Sequence, residues 1–351
     1  MSSRRLVLLL IFLCLLLLAS INLAVTLGPV EISGATTWRI AYSEALRLLG
    51  LDSPTGEWTP AQYNIIWRIR FPRVLLAALV GSALAVVGVT MQAMVRNPLA
   101  DPYLLGVSSG ASVGAVSVLA HGAFAFAGDH AMSLGAFLGA ALASALVYQV
   151  ARIHGHLSAA RLILGGVAVG YFLSGLTSLM TLTADQRELA RSALSWILGS
   201  VAGAQWSHLG LPFLAFALCA LGLFSQSRAL DALLLGDETA STLGVDAARI
   251  RRALFLITSF LTGIMVAVSG AIGFIGLMVP HATRMLVGSG HRRVLPVGAL
   301  TGAIFLVWVD VIARTAFQPI EVPVGVITAL LGGPFFVWLL CRHGRTPGMR
   351  S

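Results

Sequence analysis

The sequence predicts an all-α integral membrane protein with about ten transmembrane helices. Of its 351 residues, 57% are hydrophobic and only 11% are charged, whereas soluble domains carry about 25% charged residues. Apolar runs of about 20 residues recur along the chain, which is the length a helix needs to cross a bilayer. A transmembrane β-barrel would show alternating segments of about ten residues, so that architecture is not expected.

Ten apolar segments are candidate spans. The first follows Arg4 and Arg5 and extends to Leu27. Its apolar stretch is longer than the roughly 7–15 residues of a signal-peptide core, so an uncleaved first helix is favoured over a signal peptide. The segment at 190–203 is shorter and is predicted to be re-entrant or interfacial. The other nine spans are predicted at 74–95, 104–121, 132–151, 161–182, 208–226, 252–271, 274–288, 294–317 and 322–341.

The sequence shows no convincing internal repeat and no low-complexity linker, so one membrane domain, residues 1–351, is expected. Ten spans put both termini on one side, and the arginines place that side in the cytoplasm. Residues 28–67 then form a long outer loop with a short surface helix, and residues 227–250 form a cytoplasmic loop. Cytoplasmic loops collect basic residues. Seven arginines fall outside, five of them in the long outer loop or between it and the span at 74–95: Arg39, Arg47, Arg68, Arg70, Arg73, Arg187 and Arg191. Fourteen fall inside: Arg4, Arg5, Arg96, Arg152, Arg161, Arg228, Arg249, Arg251, Arg252, Arg292, Arg293, Arg342, Arg345 and Arg350.

The chain contains no lysine, although its net charge is +9. The phosphate-binding loop of an NTPase needs a lysine, and so does a Schiff-base enzyme, so this chain alone performs neither chemistry. The membrane topology explains the basic charge better than nucleic-acid binding does. Cys14, Cys219 and Cys341 lie in apolar segments without metal-ligand spacing. No metal and no cofactor is therefore expected on this chain.

Gly106–Gly110 fits G-x-S-x-G, the pattern around the nucleophile of serine hydrolases. That elbow requires a preceding strand and a following helix, whereas a Pro-rich turn precedes Gly106. An intramembrane serine protease pairing Ser108 with His281 is one alternative. Small hydroxyl groups that cap a helix or line a path explain the segment more simply.

Two groups of charges lie in or beside predicted spans. Asp310 and Arg314 are four residues apart and share one helix face, so we expect an ion pair. Either the two charges only neutralise each other, or Arg314 also binds an acidic residue of a partner from outside. An ion-coupled transporter would be expected to show acidic residues near the midplane, and only Asp310 qualifies. Arg187 and Arg191 are either solvated or face a vestibule, where they would attract carboxylates.

The loop at 236–244 has the pattern of a short capped helix. Asp237 is predicted to cap it and Gly244 to end it, and Asp246 is predicted to cap the next helix. Such an element fits a protein partner, although an ordinary capped loop is the alternative.

Several motifs together resemble the FecCD family of permeases, subunits of type II ABC importers for iron–siderophore complexes, haem and vitamin B12. The resemblance covers residues 60 to 342. The motifs are Arg70-Phe-Pro-Arg73, Gln92-Ala-Met-Val-Arg-Asn-Pro-Leu-Ala-Asp-Pro102, Leu105-Gly-Val-Ser-Ser-Gly-Ala111, Gly236-Asp-Glu-x-Ala240, Gly273-Phe-Ile-Gly-Leu-Met-Val-Pro-His281 and Glu321-Val-Pro-Val-Gly-Val-Ile-Thr328. Position 237 is Asp where relatives often have Glu, which keeps the charge.

The resemblance implies the type II ABC importer permease fold in a bacterial inner membrane, as a homodimer on two cytoplasmic ATPases that bind ATP and Mg²⁺. This chain would have no catalytic residues. Docking to a periplasmic or lipid-anchored substrate-binding protein is assigned to Arg70, Arg73 and Arg314. Coupling to the ATPase is assigned to Gly236, Asp237, Glu238, Ala240, Leu243 and Gly244. The translocation path is assigned to Gln92, Ser108, Ser109, Ser112, Arg187 and Arg191.

The cargo is expected to be haem or another iron chelate. Haem carries two propionates and many ferric siderophores are anionic, so Arg187 and Arg191 would suit either. Vitamin B12 carries neutral amides and is the alternative within the same family.

Overall fold

The computed structural model describes residues 2–52, 56, 58–153, 156–184 and 187–343. Within these ranges the chain forms fifteen α-helices and one short antiparallel pair of strands. The helices are α1 (Ser3–Thr26), α2 (Gly34–Leu48), α3 (Pro60–Tyr63), α4 (Phe71–Met94), α5 (Val107–His121), α6 (Ala131–Ala151), α7 (Ala159–Leu182), α8 (Arg187–Ile197), α9 (Gly210–Ser225), α10 (Ser227–Leu234), α11 (Asp237–Thr242), α12 (Ala247–Ser269), α13 (Ile275–Val287), α14 (His291–Thr315) and α15 (Val324–His343). The strands are β1 (Arg152–Ile153) and β2 (His156–Leu157).

The predicted membrane architecture is confirmed. Among the described residues, seven helical segments are long and apolar enough to cross a bilayer, and they contain α1, α4, α6, α7, α9, α12 and α14. Three shorter apolar helices, α5, α13 and α15, complete the set. Each predicted span corresponds to one of these ten helices. The segment predicted to be re-entrant forms α8 and a turn after it.

Helix α4 lies at the centre of the bundle and packs against α14, α13 and α12. All but three of its residues are buried. A helix that is apolar on every face is expected in such a position. The polar groups that α4 carries at its two ends are therefore held inside the protein.

Glycines let several helices approach to backbone contact. A Cβ on Gly81 of α4 would lie 2.2 Å from the carbonyl oxygen of Gly302 in α14. Likewise, a Cβ on Gly110 of α5 would lie 2.3 Å from the Gly139 oxygen in α6. Small residues at helix contacts are the usual means of close packing in membranes.

The segment between α1 and α4, predicted to form the outer loop, carries α2 and α3. Ser33 caps α2 by accepting from the Thr36 amide, and Thr59 and Gln62 form a capping box at the start of α3. The short helix expected within residues 28–67 is therefore present as α2. A π-helical turn, Asn64–Arg70, joins α3 to α4.

The helical structure is interrupted between α12 and α13 within the bundle. Gly270 and Phe274 both have positive φ, 65° and 69°. The Tyr103 hydroxyl accepts from the Ile272 amide at 2.9 Å and donates to the Ile272 carbonyl at 3.1 Å. Tyr103 belongs to the turn between α4 and α5, so this turn is fixed to the break.

Candidate functional site

Two buried arginines bond the C-terminal end of α1. Arg314 donates to the carbonyl oxygens of Leu27 at 2.8 Å and Ala24 at 2.6 Å. Arg70 donates to the carbonyl oxygen of Thr26 at 2.8 Å. Carbonyls in the last turn of a helix lack helical partners, and cations are favourable there. The two guanidinium groups therefore satisfy the free carbonyl groups at the end of α1 and attach this helix to the bundle.

Beside them lies a buried network of four charged side chains. Arg73 Nε donates to Asp310 Oδ1 at 2.8 Å, and Arg73 Nη2 lies 2.7 Å from Glu321 Oε1. Arg314 Nε lies 3.3 Å from Asp310 Oδ2. Asp310 is fully buried, whereas the Glu321 side chain is 43% exposed. Two cations thus face two anions, and Glu321 is the member that reaches the surface.

These contacts change the interpretation of the three arginines assigned to docking. Arg70, Arg73 and Arg314 are each at most 5% exposed and bond to groups of their own chain. In this conformation they do not present free guanidinium groups to a partner, because α1 and Asp310 supply acceptors inside the protein. Their docking role stays a prediction. Asp310 and Arg314 lie together as expected, but Arg73 makes the shorter bond to Asp310.

The loop at residues 236–244 is built differently at Asp237 from the sequence prediction. Gly236, with φ 105°, occupies the N-cap of α11, and Asp237 is the first helical residue. The Asp237 carboxylate therefore does not cap its own helix. Asp246 caps α12 as predicted, accepting from the Arg249 amide at 3.0 Å.

Asp237 instead binds Arg251 of α12. Arg251 donates from both terminal nitrogens to the two carboxylate oxygens, at 2.8 and 3.2 Å. This bidentate bond holds the pKa of Asp237 below its usual value. Arg251 Nε also donates to the carbonyl oxygen of Met94, the last residue of α4, at 3.3 Å.

The residues assigned to coupling divide into an exposed and a buried set. Glu238, Leu243 and Gly244 are exposed, and Leu243 is 61% exposed. Ala240 is fully buried. Ala240 therefore anchors α11 to the bundle, and the exposed residues form the surface that a partner could contact.

Gln92, assigned to the path, is buried near the C-terminal end of α4. Its Nε2 donates to the Gly276 carbonyl at 3.2 Å, and its Oε1 accepts from Arg284 of α13. Gln92 therefore joins α4 to α13 and does not face open space in this conformation.

The serines of the G-x-S-x-G segment lie at the start of α5. A 3-10 turn, Pro102–Leu105, precedes them, so the strand that a nucleophile elbow requires is missing from this described segment. Ser112 donates to the Ser108 carbonyl at 2.9 Å, and Ser109 lies 3.2 Å from the Ser174 hydroxyl of α7. The hydroxyls thus serve helix contacts here.

Arg191 of α8 lines a cavity of about 640 Å³ on the predicted outer side. Ser192, Ser195, Asp129 and His208 also line it. The side chain of Arg187, which begins α8, lies outside the described part of the structure. The two alternatives for these arginines were solvation and a position facing a vestibule, and the structure places Arg191 at a cavity.

An adjoining apolar cavity of about 540 Å³ lies between α6, α9 and α12 and includes Phe137 and Phe260. Among the described residues, no group of three or more His, Cys, Asp or Glu side chains is placed to hold a metal ion.

Comparisons with known proteins agree with this architecture. The model of the FecCD transport family matches residues 14–342. The hemin transport system permease protein HmuU of Yersinia pestis is 42% identical over 338 residues, covering 95% of this chain and 94% of the relative. The cobalamin import system permease protein BtuC of Halobacterium salinarum is 41% identical, covering 92% and 84%.

A solved structure described as an inward-facing ABC transporter of the metal-chelate type superposes with a TM-score of 0.79. It is 31% identical and covers 97% of this chain and 99% of the solved chain. The fold of the whole chain is therefore that of an ABC transporter permease.

Proposed function

Because the chain belongs to the FecCD transport family, we propose that it is the membrane-spanning permease subunit of an ATP-driven importer for an iron chelate, with haem as the first candidate. The similarity to permeases along nearly the whole chain supports the transport role. The observation that favours an anionic cargo is Arg191, which lines the 640 Å³ outer cavity.

The outer cavity with Arg191, next to the apolar cavity with Phe137 and Phe260, fits a large cargo that carries both apolar surface and carboxylates. A guanidinium group binds a carboxylate through parallel hydrogen bonds, and haem offers two propionates. Ser192 and Ser195 add neutral hydrogen-bonding groups beside Arg191. In this proposal, Arg191 orients the carboxylate end of the cargo as it enters.

Vitamin B12 is the second candidate. The cobalamin permease of Halobacterium salinarum and the hemin permease of Yersinia pestis are almost equally similar to this chain, at 41% and 42% identity. A cargo with neutral amides would use the serines of the cavity and would depend little on Arg191. The two cargoes therefore differ in their expected response to loss of this charge.

Transport requires an energy source that this chain lacks, since it has no lysine for a phosphate-binding loop. We assign ATP hydrolysis to two cytoplasmic ATPase subunits, which dock on the exposed face of α11 around Glu238 and Leu243. Two copies of the permease enclose the path between them in a bacterial inner membrane, with their termini in the cytoplasm. The exposed apolar helices α7 and α15, with Tyr171 and Val337 more than 60% exposed, are compatible with contact to lipid or to a second copy.

A substrate-binding protein delivers the cargo at the outer face. Arg73 is covered from outside by Glu321, whose carboxylate is partly exposed. On docking, an acidic side chain of the binding protein takes the place of Glu321 at Arg73. Arg70 and Arg314 lie beside this contact. Complementary charges at such a contact mainly steer and orient the partner.

Reconstitution tests this function. The permease, its ATPase and its binding protein are placed in lipid vesicles, and ATP turnover and uptake are measured with haem, a ferric siderophore or cobalamin on the binding protein. The proposal is supported if one cargo stimulates both ATP turnover and uptake. A chain that never associates with an ATPase is not an ABC permease.

The Arg191→Gln variant separates the two candidates. Hydrogen bonds to charged groups contribute about 1.5–3 kcal/mol, so we expect haem uptake to fall about tenfold or more while cobalamin uptake is unchanged. Arg39→Gln, an exposed arginine of α2, is the matched control. Equal haem uptake by Arg191→Gln and the control would contradict an anionic cargo bound at this cavity.

A further inference from the structure

Arg251 lies where the loop at residues 236–244, α12 and α4 meet. It is 4% exposed although it carries a permanent charge. Its planar fork holds both oxygens of Asp237, and its Nε holds the carbonyl of Met94. One side chain therefore connects the start of α11 to the end of α4.

The connection continues beyond Met94 into the bundle. Two residues earlier on α4, Gln92 donates to the Gly276 carbonyl in the first turn of α13. A displacement of α11 thus has a route through the hydrogen bonds of Arg251, the last turn of α4 and the Gln92 side chain to Gly276. The route reaches α13 immediately after the break between α12 and α13.

The loop side of this route is restrained by a second arginine. Arg96, in the left-handed conformation with φ 53°, has its Nη2 4.0 Å from Asp237 Oδ1. Its guanidinium also lies close to Gly236, because a Cβ there would be 3.3 Å from Arg96 Nη1. Both guanidinium groups therefore approach the first turn of α11, and Asp237 cannot move without changing the contacts of Arg251.

The geometry of these contacts differs from that of an ordinary surface ion pair. The Asp237 side chain is 47% exposed and the Arg251 side chain only 5%. Separating a buried arginine from its carboxylate carries a desolvation cost, so a movement of Asp237 favours a concerted movement of Arg251. Movement of Asp237 is therefore transmitted to Arg251.

We propose that Arg251 is a positioning residue for energy coupling, which transfers the movement of α11 on the ATPase to the C-terminal end of α4 and the first turn of α13. The proposal rests on the proposed function, because it takes α11 to be the ATPase contact. Arg251 does not touch cargo or nucleotide in this scheme. It sets the yield of transport for each ATP hydrolysed.

The test measures uptake and ATP hydrolysis together in vesicles that contain the complete complex. Asp237→Asn removes the carboxylate charge and leaves the Met94 bond of Arg251 possible. Arg251→Lys keeps the charge and loses the bidentate fork. For both variants we expect normal association with the ATPase and a fall of about fivefold or more in cargo moved per ATP, the lower end of typical coupling effects.

Two further variants separate this role from a general loss of structure. Asp237→Glu keeps the charge and is expected to retain most of the transport yield. Arg249→Lys changes an exposed arginine of the same helix, which pairs only locally with Asp246 in the described contacts, and is expected to behave as wild type. A wild-type yield in both Asp237→Asn and Arg251→Lys overturns the proposal. So does loss of ATPase association in these variants, which would mean that the pair only shapes the docking surface.

Hydrogen exchange gives an independent readout on the same complexes. When nucleotide is added to the wild-type complex, we expect the exchange of amides 91–97 to change together with that of α11. In Asp237→Asn the change should remain confined to α11. A change at 91–97 in Asp237→Asn equal to that in wild type contradicts the transfer. If the wild-type chain binds no ATPase at all, the proposed function itself fails, which is a distinct result.

Discussion

Arg73 of α4 and Asp310 of α14 are joined by a hydrogen bond of 2.8 Å in the interior of the protein. Asp310 is fully buried, so its charge depends on this bond and on the nearby Arg314. The two residues are 237 positions apart in the sequence. The bond therefore ties the central helix to the ninth span of the bundle.

Replacing Arg73 by leucine is expected to destabilise the protein by about 3–5 kcal/mol, because a buried carboxylate loses its main partner. Thermal unfolding of the purified protein in detergent checks this. The double variant Arg73→Leu with Asp310→Leu should recover part of the loss. A double variant less stable than the single one would contradict an uncompensated Asp310 charge as the cause.

Replacing Arg70 by leucine is expected to loosen the end of α1, since the Thr26 carbonyl loses its charged donor. We expect the amides of residues 24–30 to exchange hydrogen about tenfold faster or more, in keeping with the strength of such bonds. Mass spectrometry after deuterium labelling measures this. The exposed Arg39→Leu serves as control, and unchanged exchange in Arg70→Leu would mean that α1 is held elsewhere.

Replacing Gly81 by alanine is expected to cost about 1–3 kcal/mol, because the added Cβ would meet the Gly302 backbone at 2.2 Å. Gly175→Ala in α7 is the matched control, since nothing lies within 4 Å of a Cβ there. That variant should be neutral or stabilised by up to about 1 kcal/mol, as alanine favours helix. Equal unfolding temperatures for the two variants would argue against a tight α4–α14 contact.

Asp101, in the turn between α4 and α5, predicts a pH effect on stability. Burial raises its pKa from 3.8 to about 6. The folded state therefore binds a proton between these two values while the unfolded state releases it, so Asp101 makes stability rise as the pH falls from above 6 towards 4. Asp101→Asn keeps an oxygen for the Tyr103 amide and should remove this increment.

The measurement for Asp101 is the unfolding temperature of both proteins between pH 4.5 and 8, values that we choose to bracket the pKa of about 6. Subtracting the curve of Asp101→Asn from that of wild type isolates the contribution of this carboxyl. A difference that does not vary across this interval would show that Asp101 keeps an ordinary pKa.

Glu321→Gln tests the outer face. If a carboxylate of the binding protein takes the place of Glu321 on Arg73, removal of the competing charge should tighten docking by a few-fold, as expected for a partly exposed ion pair worth about 0.2–1 kcal/mol. Docking is measured with the purified binding protein on immobilised complex, at low and high salt. Weaker docking in Glu321→Gln would show that Glu321 is part of the contact or supports it.

The spans could be predicted from sequence because a bilayer leaves the backbone only helices or closed barrels, and the apolar runs had helical length. Charged partners far apart in the chain could not be predicted in this way. Asp310 and Arg314 share a helix face by spacing alone, whereas Arg73 approaches Asp310 only through the crossing of α4 and α14. The sequence indicated such a partner only through the general rule that a charge buried in the membrane needs an opposite charge nearby.

The loop at residues 236–244 shows the same limit at shorter range. Asp237 stands where a capping residue is expected, but Gly236 takes the cap with a conformation that suits glycine. This leaves the carboxylate for Arg251, 14 residues later on another helix. Helical spacing within α11 gives no sign of such a pair. Asp246, whose partner amide is three residues away, was predicted correctly.

The attachment of α1 has a consequence for the biosynthesis and membrane insertion of the protein. The Leu27 carbonyl is bonded by Arg314, which lies 287 residues later in the chain, and Arg70 contributes from the start of the second span. On the ribosome, the first span therefore enters the membrane long before the residue that completes its anchorage exists. Until the ninth span arrives, the nascent chain must carry a leading helix whose final contacts are still unmade.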